Sequence, residues 1–309
     1  MSGWTTVTEN LRFPEGPVAC ADGSVILVEI AAGRLTRVWP DGATETVAQT
    51  AGGPNGLAIG PDGGLYVCNN GGTAWREWGG LLVPSGKAST YVSGSIQRAE
   101  IATGKVETLY TTGRAADGGE VPLQGPNDIV FDAHGGFWFT DNGKADARSK
   151  TITGVFYATT DGSSCREVIF PLNNPNGIGL SPDGQTLYVA ETPTSRLWAF
   201  AVVAPGEVAL QPGLSGMGGR FVYSSPGQSA YDSLAVEANG NIAIATIGDC
   251  GITVVSPSGE LVEFVATDDP FTTNICWGGA ALTTAFVTLG GTGQLVRREW
   301  ARPGLRLEF

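Results

Sequence analysis

Residues 175–192 read PNGIGLSPDGQTLYVAET: a Pro-Asn-Gly start, a short apolar run, a Pro-Asp-Gly turn, and a second run of aromatic and β-branched side chains. These are β-hairpin signals, because the turn residues supply the backbone angles that join two short antiparallel strands. Five further stretches follow the same form. They read PEGPVACADGSVILVE from Pro14, PNGLAIGPDGGLYVCNN from Pro54, PNDIVFDAHGGFWFTDN from Pro126, YDSLAVEANGNIAIATIG from Tyr231 and TNICWGGAALTTAFVTLGG from Thr273. Second hairpins lie between them, such as GRLTRVWPDGATETVA from Gly33 and QRAEIATGKVETLY from Gln97, so the repeating unit is four strands.

Four-stranded units repeated radially are propeller blades, which leave only short edges exposed. The chain is therefore expected to be all-β, a six-bladed β-propeller with four-stranded antiparallel blades around a central channel, one domain over residues 1–309. A β-sandwich would not explain six similar phrases, and a β-helix would have shorter coils. Extra length falls at Gly71–Gly94, Thr112–Gly125 and Ala204–Gly219. A strand near Trp4–Thr8 is expected to complete the last blade, with Gly304–Phe309 as a competitor for that edge.

Composition agrees: 46 Gly and 18 Pro in 309 residues point to short strands and tight turns. A formal charge of −12 disfavours nucleic acid and anionic membrane surfaces as partners, leaving a small molecule, neutral or cationic by that global measure. Five Cys, an odd number with no C-x-x-C pair, argue against a disulfide framework and for reduced thiols, and Met1–Asn10 shows no secretory pattern, so a cytoplasmic location is expected. The uncharged stretch Pro270–Val296 is long enough to span a bilayer. Its glycines and the repeat make it two strands and a turn instead.

In each phrase one position is polar where the pattern would tolerate anything: Glu15, Asn55, Asn127, Asn176, Asp232 and Asn274. Equivalent positions of a blade ring converge on the axis, so six oxygen-bearing side chains should face one another at one mouth of the channel. Such a hard, oxygen-rich cluster suits calcium or magnesium, and a divalent cation would compensate the facing carboxylates Glu15 and Asp232. Asn55 and Asn274 are read as turn residues that cap backbone groups. The single histidine, His134, falls where sister copies have a Pro-Asp-Gly turn and is expected at a hairpin tip away from the axis. With no second His, a Ser-His-Asp triad, a His-based zinc site and an H-E-x-x-H protease are excluded.

The phrases PEGPV, GPNDIVFD, PNGIGLSPDGQTLYVAET followed by RLWAF, YDSLAVE and TNICWGG closely resemble the senescence marker protein/gluconolactonase/luciferin-regenerating enzyme family. The resemblance implies a propeller that binds one divalent ion, calcium first, with zinc, magnesium or manganese as alternatives, and that hydrolyses lactones. It implies Glu15, Asn176 and Asp232 as metal ligands. Asn127 lies at the metal too, completing its shell or contacting substrate. Asp232 becomes the candidate to orient or deprotonate the attacking water, with a nucleophilic carboxylate as the competing role. Organophosphate-cleaving propellers share a similar four-residue set, and a non-catalytic metal- or ligand-binding propeller is a third reading. The chain departs from sugar-lactone relatives in WREWGGLLVPSGKASTY from Trp75. There Trp75 and Trp78 are expected either to reach substrate, implying a larger or more apolar lactone, or to pack down on the blade edge.

Overall fold

The computed structural model describes residues 3–212 and 218–309. Its strands form six sheets arranged as a six-bladed propeller and one separate two-stranded sheet. Blade 1 runs through Pro14–Ala19, Val25–Glu29, Arg34–Val38 and Thr44–Gln49, and the later blades repeat that order from innermost strand outward. The innermost strands of blades 2 to 6 are Pro54–Ile59, Pro126–Phe131, Pro175–Leu180, Ala230–Val236 and Thr272–Gly278.

Blade 6 is completed by the amino-terminal strand Thr5–Thr8, which pairs antiparallel with Gln294–Glu299 through Thr5↔Arg297 and Thr6↔Val296. Gly304 does not compete for that edge. It bridges to Glu237 of blade 5, and the tail continues across the end of the channel until Phe309 meets Phe131 of blade 3, ring centroids 5.8 Å apart. The stretch read against a membrane span forms strands Thr272–Gly278 and Thr284–Leu289. No described helix is long and apolar enough to cross a membrane.

The extra length sits where the spacing places it. Blade 2 carries an inserted hairpin, Thr73–Trp78 with Leu81–Lys87, and blade 3 gains the hairpin Thr112–Arg114 with Glu120–Pro122. Blade 4 carries Glu207–Ala209 and Arg220–Ser224, both paired with Arg196–Ala204; within the third expected insertion, residues 213–217 lie outside the described residues.

A blade flanked by two others buries both faces, which is why second strands such as VILVE, LYVCN and FWFTD are buried at every position. The core is accordingly divided into six apolar clusters, each filling the space between two neighbouring blades. Tyr66, Phe131, Phe137 and Phe156 join blades 2 and 3, and Leu197, Leu234 and Ile244 join blades 4 and 5.

In blades 1 to 4 the second strand ends on a buried polar residue that accepts backbone N–H groups from the turn leading into its own innermost strand. Glu29 accepts from Arg12 N (2.8 Å), Asn69 from Gly53 N (2.9 Å), Asp141 from Gln124 N and Gly125 N (both 2.7 Å), and Glu191 from Asn173 N (2.7 Å). These bonds satisfy donors that would be costly to bury alone, and they set the height at which each innermost strand begins.

Near the axis the strands nearly touch. A Cβ at Gly56 would lie 2.4 Å from the Asn127 carbonyl oxygen, and one at Gly177 2.6 Å from Leu234 N. Gly56→Ala should therefore lower stability by about 1–3 kcal/mol, the usual cost of overpacking. Urea unfolding checks this, and an unchanged midpoint would contradict the packing.

Candidate metal centre

The innermost strands start on one face of the ring. Glu15, Asn55, Asn127, Asn176, Asp232 and Asn274 are all buried there, Glu15 at 2% exposure and Asp232 at 9%. His134 lies exposed in the turn at the opposite end of its hairpin, its N–H held by Asp132 Oδ1 (2.9 Å).

The axial side chains are tied in pairs across blade boundaries. Asn176 Nδ2 donates to Asp232 Oδ1 (2.6 Å) and to Thr192 Oγ1 (3.0 Å), linking blade 4 to blade 5. Asn274 Nδ2 donates to Glu15 Oε2 (2.8 Å), linking blade 6 to blade 1, and Gly16 N donates to the same oxygen. Asn274 is thus more than a turn residue: its Oδ1 accepts Ile275 N (2.7 Å), as a cap would, while its amide nitrogen orients the Glu15 carboxylate.

These bonds leave a specific remainder. Glu15 Oε1, Asn127 Oδ1 and Asn176 Oδ1 are buried and have no hydrogen-bond partner. Leaving a buried polar atom unsatisfied costs about 1–3 kcal/mol each. Three such oxygens, on three of the four residues expected to bind metal, are what a hard cation would satisfy, so the residues present fit a divalent ion. Among the described residues no three His, Cys, Asp or Glu side chains group as a metal site, because this centre takes half its donors from amides.

Electrostatics point the same way. Burial pushes the Glu15 carboxyl well above the usual carboxylate range, and the charges of Asp232 and Asp128 push it further. Burial raises Asp232 to about 7, with Asp128 adding to the shift and the Asn176 bond opposing it. Asp128 is itself pushed up to about 7 by burial.

Asp128 escaped the sequence reading, although its signal was present: the third phrase has PND where three sisters have PNG or PEG. Its Oδ1 accepts Ile129 N (3.0 Å), and its Oδ2 accepts Ile178 N (3.2 Å) from blade 4. Where the sister glycine makes room for a neighbouring backbone, this aspartate bonds to one.

The blade 2 hairpin lies across this face. Trp75 packs on Phe13 with centroids 4.7 Å apart, Phe13 meets Phe271 at 5.9 Å, and Leu82 N donates to Gly291 O of blade 6 (2.9 Å). Phe13, two residues before Glu15, takes φ 58, an unusual conformation for an aromatic residue that this packing holds in place. Trp75 therefore packs down on the apolar cluster between blades 1 and 2, one of the two outcomes expected for it, whereas Trp78 is 63% exposed near the hairpin turn. Two concavities of about 320 and 530 Å³ border the Thr112–Pro122 hairpin and share no residue with the axial set.

With the fold and the axial set described, the match of residues 13–291 to the SMP-30/Gluconolactonase/LRE-like region is decisive. The chain belongs to that family. Relatives of this family member include the lactonase drp35 of Staphylococcus epidermidis, 26% identical over 260 residues covering 83% of this chain and 70% of that protein. The lactonase drp35 of Staphylococcus aureus is 27% identical over the same shares. Among solved structures, a gluconolactonase of Xanthomonas campestris superposes with a TM-score of 0.73 at 24% identity, covering 97% of this chain and 89% of that one. The calcium-binding protein regucalcin of Agrobacterium tumefaciens gives 0.68 at 16% identity, covering 98% and 95%. At such identities the structural likeness shows the shared propeller.

Two outcomes follow from the centre's geometry. Asn274→Ala frees Glu15 from its amide partner and should weaken divalent-ion affinity about 10–100-fold, read by calorimetry; unchanged affinity would mean Asn274 does not position the ligand. The second concerns pH. Raised carboxyl pKa values stabilise the metal-free fold only at low pH, a contribution fully present below about pH 4 and lost as pH rises through about 7. A bound cation reverses this penalty. Added calcium should therefore raise the melting temperature more at about pH 8 than at about pH 5, and equal shifts would contradict the assignment.

Proposed function

We propose that this protein is a divalent-metal-dependent hydrolase that opens lactones, with calcium as the preferred ion and Glu15, Asn127, Asn176 and Asp232 as its ligands. The observation that carries the reading is the set of three unpartnered buried oxygens beside Asp232. An all-oxygen donor set without imidazole or thiolate favours calcium, magnesium or manganese over zinc. The lactonase and gluconolactonase relatives narrow the chemistry to a cyclic ester.

Bound there, a divalent cation supplies a Lewis acid for the lactone carbonyl and positive charge opposite the developing oxyanion. Asp232 keeps one carboxylate oxygen in the bond from Asn176 and turns the other toward a water. In this role it takes a proton as the water oxygen bonds to the carbonyl carbon. When the ring C–O bond breaks, that proton passes to the departing alkoxide, and the product is a hydroxy acid. The Asn176 amide holds that carboxylate in place for the transfer. Asn127 contributes its Oδ1 to the centre, leaving its amide N–H groups to donate to substrate oxygen. Asn274 holds Glu15 in register. Trp75, with Phe13 and Phe271, offers an apolar surface to the substrate ring or its substituent. Trp78, at the rim, would meet only a substrate long enough to reach it.

The test is a pH-stat assay over a panel of five- and six-membered lactones, an aryl ester and a phosphotriester, with and without chelator. Lactone opening should require the divalent ion, and Asp232→Asn should reduce kcat by about 10²–10⁴-fold. Full activity in that variant, or turnover that survives chelation, would overturn the mechanism. A preference for the phosphotriester would move the protein to the organophosphate-cleaving reading.

A further inference from the structure

The loop that follows the second strand of blade 3 leans both ways along the channel mouth. Asn142 Nδ2 donates to Pro175 O (3.3 Å), the residue directly before Asn176. Lys144 reaches the other way, to blade 2, where its Nζ donates to Asn70 Oδ1 (3.1 Å) and Gly72 O (3.2 Å). Asn70 is bonded through its own N–H to Gly53 O (2.8 Å), at the start of the strand that carries Asn55. The Lys144 ammonium therefore sits where the innermost strands of blades 2 and 3 begin, on the same face as Asn127.

Its surroundings are unusual for a lysine. The side chain is largely removed from water, which lowers its pKa to about 8. Among the described residues it makes no ion pair: Lys87 has Asp146 at 3.3 Å, but Lys144 has no carboxylate within that reach. Asp141 favours its charge from further away, yet the Asp141 oxygens are already occupied by the N–H groups of Gln124, Gly125 and Gly143. Two of the three ammonium hydrogens go to neutral acceptors, and the third has no acceptor assigned. Both Lys144 and Lys87 approach the ring of Tyr91, at 5.1 and 5.6 Å from its centroid, and Tyr91 is fixed by its hydroxyl to Gln124 O (2.8 Å). Two cations thus share one aromatic ring, with Asp146 in contact with Lys87 and Asp141 acting on Lys144 from further away, in a chain whose net charge is −12. A desolvated cation with no carboxylate in direct contact is costly, and a negatively charged ligand touching it lowers that cost.

We propose that Lys144 is a specificity-determining residue whose unassigned N–H, supported by Lys87, receives a carboxylate borne by the substrate, so that the preferred lactone carries an acidic substituent. This rests on the lactone-opening reading above. It also reverses the expectation, drawn from net charge, of a neutral or cationic ligand. Exposed charges more than about 8 Å away are largely screened at physiological ionic strength, so net charge is a weaker guide to this ligand than the two lysines at the mouth. Seated this way, the substrate has its acidic group toward blades 2 and 3 and its apolar part toward Trp75, Phe13 and Phe271. The lactone carbonyl then lies over the axial oxygens.

Two lactones of the same ring size test this, one bearing an exocyclic carboxylate and the other the corresponding primary amide. The unmodified, calcium-loaded protein should favour the acid by about tenfold or more in kcat/KM, as a charge-assisted contact predicts. In Lys144→Gln, which keeps a donor toward Asn70 and Gly72 but removes the charge, that ratio should collapse through KM rather than kcat. Lys144→Arg should retain part of it. A wild-type preference for the amide, or an unchanged ratio in Lys144→Gln, overturns the proposal, and the wild-type arm needs no variant to fold. If neither lactone is opened, the lactonase reading fails instead. Calorimetric binding of the acid lactone then decides the lysine's role: affinity lost in Lys144→Gln supports it, and equal affinity refutes it.

Discussion

Near the axis, six backbones converge until a single added Cβ at Gly56 would strike the next blade's carbonyl oxygen at 2.4 Å. At Gly16, Gly56 and Gly177 no side chain fits between neighbouring innermost strands, whereas in blade 3 Asp128 takes that position and bonds to the Ile178 amide of blade 4. In blades 1, 2 and 4 the residue one step earlier, Glu15, Asn55 or Asn176, is left to the channel. Polar oxygens are thereby gathered into a space with too few hydrogens to satisfy them. The unpartnered atoms of Glu15, Asn127 and Asn176 are a consequence of ring geometry as much as of residue choice.

Burial by itself does not mark the functional acids. Glu29, Asp141 and Glu191 are as deeply buried as Glu15 and more so than Asp232, and they stand on the same face of the ring. Their oxygens, however, accept backbone N–H groups from the turns they brace. Glu15 keeps one oxygen free, and the charges of Asp128 and Asp232 act on it. Two sets of acids thus share one end of the propeller: Glu29, Asp141 and Glu191, whose oxygens brace the turns, and Glu15 and Asp232 at the axis, where Glu15 Oε1 is left without a partner. The partner count of each carboxylate separates architecture from chemistry.

The mouth is divided in character by the insertion on blade 2. Its hairpin is tied at one side to blade 6 through Leu82 and Gly291, and at the other to blade 3 through Lys87 and Asp146. Anchored at both sides, it lays Trp75 against Phe13 and brings Lys87 toward Tyr91 and the region of Lys144. One loop thus packs apolar side chains against the space between blades 1 and 2 and brings a lysine toward Tyr91.

The six phrases made the propeller legible before any coordinates, because each hairpin writes its alternation and turn locally, and repetition shows that the units are equivalent. Glu15 and Asp232 were legible for a related reason: a carboxylate at a buried strand start contradicts the apolar pattern around it. Asp128 was written just as plainly, as an aspartate in place of glycine, but its meaning depends on the Ile178 amide of the next blade. Asn274 orients Glu15 only because ring closure brings residues 259 positions apart into contact. Lys144 meets Asn70 across 74 positions. Periodicity and turn chemistry are local properties, so the sequence by itself determined the blades and the carboxylates that must face the axis. Which polar atoms remain unpaired, and which lysine has no carboxylate in contact, follows from distances between blades, and only the tertiary structure decided it.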